Sequence, residues 1–202
     1  MVLRLNSCAV TCVLAAMLSV FAMPAYAGLD IEAGRWRLEL NNDFGVHQGG
    51  RDRSGDYSIH AVVEYEVPAT SRVTLGLRLM PLFLYTQEDE RDGGLLDRWL
   101  NDERYEDGGT VYGAGVGLSA RIYQVKDEYR GFFGELAVTA LGHGNEFNGN
   151  NSNLNFLTTV GVGYQFKSDW HLQVHYQHIS NASLGSHNSG ANSLGIGIGY
   201  RF

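Results

Sequence analysis

Cysteine is confined to the first twelve residues of this 202-residue chain, as Cys8 and Cys12. Both fall within residues 1–27, which read as a secretory signal peptide. Arg4 supplies the positive end, an apolar stretch runs from about Ala9 to Ala22, and Ala25-Tyr26-Ala27 is a small-x-small cleavage site. A mature chain starting at Gly28 would carry no thiol and no disulfide, which excludes a cysteine nucleophile and a disulfide-stapled fold. A lipoprotein reading fails because neither cysteine follows a long enough apolar run in a suitable context. Later in the chain there is no run of eighteen or so apolar residues, so no membrane helix is expected. A chain lacking such helices can cross a bilayer only as a closed β-barrel. Positive charge is scarce, with 15 Lys and Arg against 22 Asp and Glu, and the net charge of −7 argues against a nucleic-acid partner. Proline is scarce too, at 3, whereas glycine reaches 26 and tyrosine 11.

Those residues are arranged in eight segments of period-two alternation, and residues 28–202 are expected to form one all-β domain, an eight-stranded antiparallel transmembrane β-barrel. The last segment shows the pattern most clearly. Leu194, Ile196, Ile198, Tyr200 and Phe202 share one face, and Ser193, Gly195, Gly197, Gly199 and Arg201 share the other. Its apolar face suits lipid and its small, polar face suits a tight lumen. The same division predicts Trp36, Leu38 and Leu40 outward in the first strand, and Ile59 to Val67 outward in the second, with His60, Glu64 and Glu66 inward. The third reads Val73, Leu75, Leu77 and Leu79 outward until Pro81 disturbs the parity.

Connections alternate in length. Residues 41–56, 87–109, 143–153 and 181–191 read as long polar loops, and 68–71, 124–128 and 167–169 as short turns. Short turns are periplasmic and long loops extracellular in such barrels, so both termini belong on the periplasmic side. A lumen of eight strands is filled by its own side chains, which excludes a porin.

In the seventh strand Trp170, Leu172, Val174 and Tyr176 face lipid. The same parity carries His178 and Ser180 onto that face, near the outer rim, where polar groups need a reason. Two residues apart on a strand puts their backbones roughly 7 Å apart, so the imidazole can lean toward the hydroxyl. If Ser180 faces Gly190 across the final hairpin, then His178 faces Asn192 at about 5 Å between side-chain bases. Serine, histidine and an amide would form one cluster.

These residues resemble the motif of the outer-membrane lipid A 3-O-deacylases, the PagL type. That motif is His-x-Ser-Asn-Ala, then an Asn-Pro-Gly-like turn, then an acidic residue fourteen positions after the histidine. Here it is matched by His178, Ser180, Asn181, Ala182, Asn188 and Gly190, with Ser189 in place of the proline and Asn192 in place of the acid. The resemblance is strong over about the last thirty residues and architectural elsewhere. It implies Ser180 as nucleophile, His178 as its base and Asn192 as the group that orients the base, with lipid A of lipopolysaccharide as substrate and a serine esterase reaction at the 3 position. Asn181, Asn188 and Gly190 are candidates for holding the oxyanion and positioning substrate, because their loop returns beside the serine.

No cofactor is expected, and no metal. His171 and His175 share the inward face, but four residues along a strand span roughly 13 Å, too far for one ion. Leu95, Leu96, Trp99 and Leu100 have helical spacing inside the acidic loop 87–109, where a short amphipathic helix could rest on lipid. A solvated loop with a local apolar cluster accounts for them equally well. The competing reading of the whole chain is a non-enzymatic small barrel serving adhesion or envelope stability. In it, His178 and Ser180 belong to a polar interfacial collar, with Tyr176 and Tyr200 in an aromatic girdle.

Overall fold

The computed structural model describes residues 29–46, 53–88, 90–91, 105–106 and 108–202. Residues 1–27, expected to be a signal peptide, and the loop residues Leu95, Leu96, Trp99 and Leu100 lie outside that set. Among the described residues ten strands form: β1 (Arg35–Gly45), β2 (Tyr57–Pro68), β3 (Val73–Gln87), β4 (Glu90–Arg91), β5 (Tyr105–Glu106), β6 (Gly109–Val125), β7 (Arg130–His143), β8 (Leu154–Gln165), β9 (Trp170–Ser180) and β10 (Ala191–Arg201). Eight of them close an antiparallel barrel in the order β1-β10-β9-β8-β7-β6-β3-β2, each paired with its neighbours along the chain; β4 and β5 make a separate two-residue ribbon. Closure comes from β1 against β10, running from Arg37 opposite Arg201 to Gly45 opposite Ser193. Every barrel strand is 11 residues or longer, enough to span a hydrocarbon layer at the usual tilt.

Exposure follows the expected alternation. Leu38, Leu40, Leu77, Val116, Leu118, Val162, Leu172, Val174, Ile196 and Ile198 form an exposed apolar band around the barrel. A girdle of aromatic pairs rings the end that carries the short turns: Trp36 with Tyr65, Phe132 with Tyr164, and Trp170 with Tyr200, at centroid separations of 5.0, 5.0 and 5.2 Å. Rings at this level are typical of the membrane interface.

The lumen is filled in two layers. One is ionic: Arg37 pairs with Glu66 at 2.9 Å, and Arg78 with Glu64 and Glu135 at 2.8 and 3.2 Å. Arg121 lies between Glu64 and Glu135 and bonds both. Inward glycines make room for Glu64, beside Gly76, and for the neighbouring histidines. At Gly195 a Cβ would collide with the Asp43 carboxylate and the His175 ring. Nearer the long loops the filling turns apolar, with Val62, Met80, Phe83, Tyr85, Val111, Leu141, Phe147, Leu157, Ile179 and Ala191 in one buried cluster. Phe147 comes from the β7–β8 connection and sits edge-on against Tyr85, with centroids 5.0 Å apart. It closes the mouth behind the strands that carry the motif.

One boundary differs from the sequence expectation, for a reason of lumen chemistry, and the disturbance expected at Pro81 is found. The first long loop does not begin at residue 41, because β1 continues to Gly45 with Asn41 and Asp43 buried inside. A polar run reads as loop in a soluble chain but is ordinary filling in a barrel lumen. In β3 the pairing slips at a bulge between Met80 and Phe83. Pro81 and Leu82 are both exposed there, and the inward parity passes from Met80 to Phe83, Tyr85 and Gln87. Proline has no N–H for the ladder, so the bulge accommodates it.

Candidate active site

Of the polar trio expected on the lipid face, His178 and Asn192 are brought into contact across β9 and β10, and Ser180 shares the outward face of β9 with His178. The register sets Asn192 opposite His178 and Ala191 opposite Ile179. On the other flank, Thr158 of β8 pairs with His178 and Phe156 with Ser180. Ile179 lies between histidine and serine in sequence but points into the apolar cluster, and so does Ala191. The two inward anchors fix the strand pair, so that His178 and Ser180 emerge side by side at the long-loop end, both half-buried.

His178 Nδ1 lies 2.7 Å from Asn192 Oδ1. An amide oxygen can only accept, so Nδ1 carries the proton and Nε2 presents its lone pair. That is the tautomer a general base requires. Among the described residues no hydrogen bond joins the Ser180 hydroxyl to the imidazole, and His178 Nε2 takes no partner. Catalytic hydrogen bonds are often loose before substrate binds, and these two side chains share one face of one strand. Asn192 is 92% shielded despite its outward parity, being 8% exposed. Its oxygen also accepts from the Tyr176 hydroxyl at 2.6 Å.

The loop between β9 and β10 is organised by Asn181, which is completely buried. Its Nδ2 donates to His187 O at 2.8 Å and to Asn150 Oδ1 at 3.1 Å, and its Oδ1 accepts from Ser183 N at 2.9 Å. Its backbone N–H donates to Asn188 Oδ1 at 3.0 Å. All the donors of Asn181 are thus engaged in holding the loop. The amide network runs on from Asn150 to Asn155 at 2.7 Å, and from Asn155 to His143 at 2.7 Å, tying the motif loop to the β7–β8 connection. Sequence reading did not pick out Asn150, Asn155 or His143 for this task, since isolated loop amides carry no spacing signal.

Two further local features follow the motif. Ala182 and Ser183 both have positive φ, 51° and 67°, an uncommon conformation for non-glycine residues that turns the chain sharply after Asn181. Among the described residues the Ala182 and Gly190 N–H groups and the Asn188 side-chain amide N–H take no partner. At Gly190 an added Cβ would stand 2.8 Å from His178 Cε1, so the imidazole sits in space that only glycine leaves open.

Toward the middle of the barrel the lipid face opens into an apolar groove of about 490 Å³ bordered by Phe44, Val160, Val174, Tyr176, Leu194 and Ile196. Tyr176 belongs to both groove and trio, with its ring lining one and its hydroxyl reaching the other.

A closed eight-stranded barrel with a His-x-Ser-Asn-Ala strand end is now matched by a family model. The model described as lipid A 3-O-deacylase (PagL) covers residues 57–201. The chain belongs to this family. Its barrel is therefore an outer-membrane barrel, and its family activity is lipid A 3-O-deacylation. The match spans β2 to β10 and so includes the whole motif, Tyr176 and Asn192. No curated protein matches the chain.

Proposed function

We propose that this protein is a serine-dependent hydrolase that removes the ester-linked 3-hydroxyacyl chain at the 3 position of lipid A, with Ser180 as nucleophile, His178 as general base and Asn192 as its orienting partner. The observation that carries the proposal is the 2.7 Å contact from His178 Nδ1 to Asn192 Oδ1, on the lipid-facing side of β9. A polar trio there has no solvation benefit, whereas an imidazole with a free Nε2 beside a serine is poised for proton transfer.

His178 Nε2 takes the Ser180 proton as Oγ attacks the ester carbonyl carbon. The tetrahedral oxyanion that forms is met by the N–H donors of the returning loop at Ala182, Asn188 and Gly190. Asn181 acts by shaping that loop. Collapse of the intermediate passes the proton from His178 to the sugar oxygen, which leaves and carries the rest of lipid A with it. Water, activated by the same imidazole, then releases the fatty acid from Ser180. Long loops of outer-membrane barrels are extracellular, so the site faces the outer leaflet, where lipopolysaccharide resides. The groove below the trio receives the scissile acyl chain, leaving its ester level with Ser180.

The test is mass spectrometry of lipopolysaccharide incubated with the purified protein and, in parallel, with Ser180→Ala. Loss of one hydroxyacyl chain is expected with the parent only. Retention of all chains with both proteins, in detergent and in membranes, would point instead to a non-enzymatic barrel serving adhesion or envelope stability.

A further inference from the structure

We infer that Tyr176 is a positioning residue that lets an amide do the work of an acid at position 192, by fixing which end of the Asn192 carboxamide faces His178. The inference rests on the catalytic reading above and extends it to a residue outside the motif.

A carboxylate opposite His178 has two equivalent oxygens, and whichever faces Nδ1 will accept its proton. A carboxamide has one accepting end and one donating end. Turned the wrong way, it would offer N–H to Nδ1, drive the imidazole proton to Nε2 and abolish the base. Replacing an acid by its amide therefore demands something that chooses the rotamer. In this chain the two strands supply it. Tyr176 and His178 share a face of β9, opposite Leu194 and Asn192 of β10. The Tyr176 hydroxyl reaches diagonally to Asn192 Oδ1 at 2.6 Å while His178 Nδ1 reaches the same atom at 2.7 Å. Two donors converge on one oxygen. Turning the amide over would replace both contacts by facing hydrogens and oblige the phenol to reverse its own hydrogen bond as well.

The setting makes the choice durable. Asn192 is 8% exposed, so water is a poor substitute for either partner. The Tyr176 ring lines the groove wall beside Val174 and Leu194.

The experiment is a double-substitution cycle on the full-length protein, with Tyr176→Phe in the parent and in an Asn192→Asp background. Lipid A deacylation is followed for kcat and KM, and the His178 tautomer by 15N NMR of histidine-labelled barrel, its signal assigned by loss in His178→Gln. Tyr176→Phe in the parent should lower kcat about 3- to 10-fold, the scale of one neutral hydrogen bond, with KM changed less than about 2-fold. In the Asn192→Asp background the same substitution should change kcat less than about 2-fold, because a carboxylate needs no orienting. In the spectra, His178 should be protonated at Nδ1 in the parent, should show both tautomers after Tyr176→Phe, and should return to Nδ1 protonation when Asn192→Asp is added. Equal losses of kcat in both backgrounds would mean that the phenol merely packs, and would overturn the inference. So would a parent tautomer that Tyr176→Phe does not move. If the parent proves to have no esterase activity, the proposed function fails, while the tautomer measurement still decides whether Tyr176 sets the amide.

Discussion

Histidine occurs in two settings in this barrel, inside the lumen beside carboxylates and outside on the lipid face beside an amide. His171 has Arg37 on Nδ1 at 2.9 Å and Glu39 on Nε2 at 2.8 Å. His175 bonds Asp43 through Nε2 at 2.5 Å, and His60 faces the same carboxylate at 3.2 Å. Ser58 donates to Asp43 as well, at 3.0 Å. A serine, two histidines and an aspartate are therefore gathered in the lumen, yet the serine bonds the acid instead of an imidazole, and the group is sealed from any substrate. On the outer face His178 has one nitrogen engaged and the other open. Residue types alone would have favoured the lumen cluster as a triad, whereas the motif, lipid-facing parity, access and the free nitrogen single out the rim. The difference in partner has its own logic. Carboxylates inside are balanced by Arg37, Arg78 and Arg121, whereas a charge facing lipid has no such compensation. An amide avoids that cost at the price of needing orientation.

Substitutions can separate the two regions. The largest expected effect lies inside: Arg121→Met removes one of the two arginines that Glu64 and Glu135 share, leaving Arg78 alone against both, and should destabilise the barrel by about 3–5 kcal/mol. Thermal unfolding should report that loss, while turnover per folded molecule stays within about 2-fold. On the face the pattern should reverse. Asn192→Ala removes the acceptor that fixes the imidazole tautomer and should lower kcat roughly 100-fold, less than the about ten-thousandfold cost of disabling a charged triad acid. Unfolding temperature should fall less than for Arg121→Met, since neutral hydrogen bonds and no buried charge are lost. Gly190→Ala introduces a Cβ 2.8 Å from His178 Cε1 and should displace the ring, lowering kcat about tenfold. A comparable loss of turnover from Arg121→Met, or of stability from Asn192→Ala, would blur the division between scaffold and site.

Much of this layout was legible in the chain because a barrel converts sequence parity directly into inside and outside. Leu194 to Tyr200 and Trp170 to Tyr176 show their faces without any tertiary knowledge, and the hairpin register that sets His178 opposite Asn192 follows from parity and loop length. Parity could be followed only as far as Pro81, where the backbone departs from regular pleating at the bulge with Leu82. Polarity misled at Asn41 and Asp43, since lumen filling and loop share a composition. Tyr176 carried only the signal of an interfacial aromatic, because its hydroxyl reaches Asn192 along a diagonal that no linear spacing encodes. Asn181 was expected near the oxyanion, but its bonds to Asn150 and His187 depend on how two loops meet. The left-handed pair at Ala182 and Ser183 was likewise invisible, as neither residue type favours that conformation.

Whether Ser180 on the lipid face is an activated nucleophile can be read from its reaction with a serine-directed phosphonate bearing a long alkyl chain. Attack by Oγ on phosphorus would expel the leaving group and mark one peptide by mass. A single adduct on Ser180 is expected in the parent, lost in His178→Ala, with Ser58 unmodified in both. Labelling of any other serine, or an adduct on Ser180 that forms as fast without His178, would contradict it.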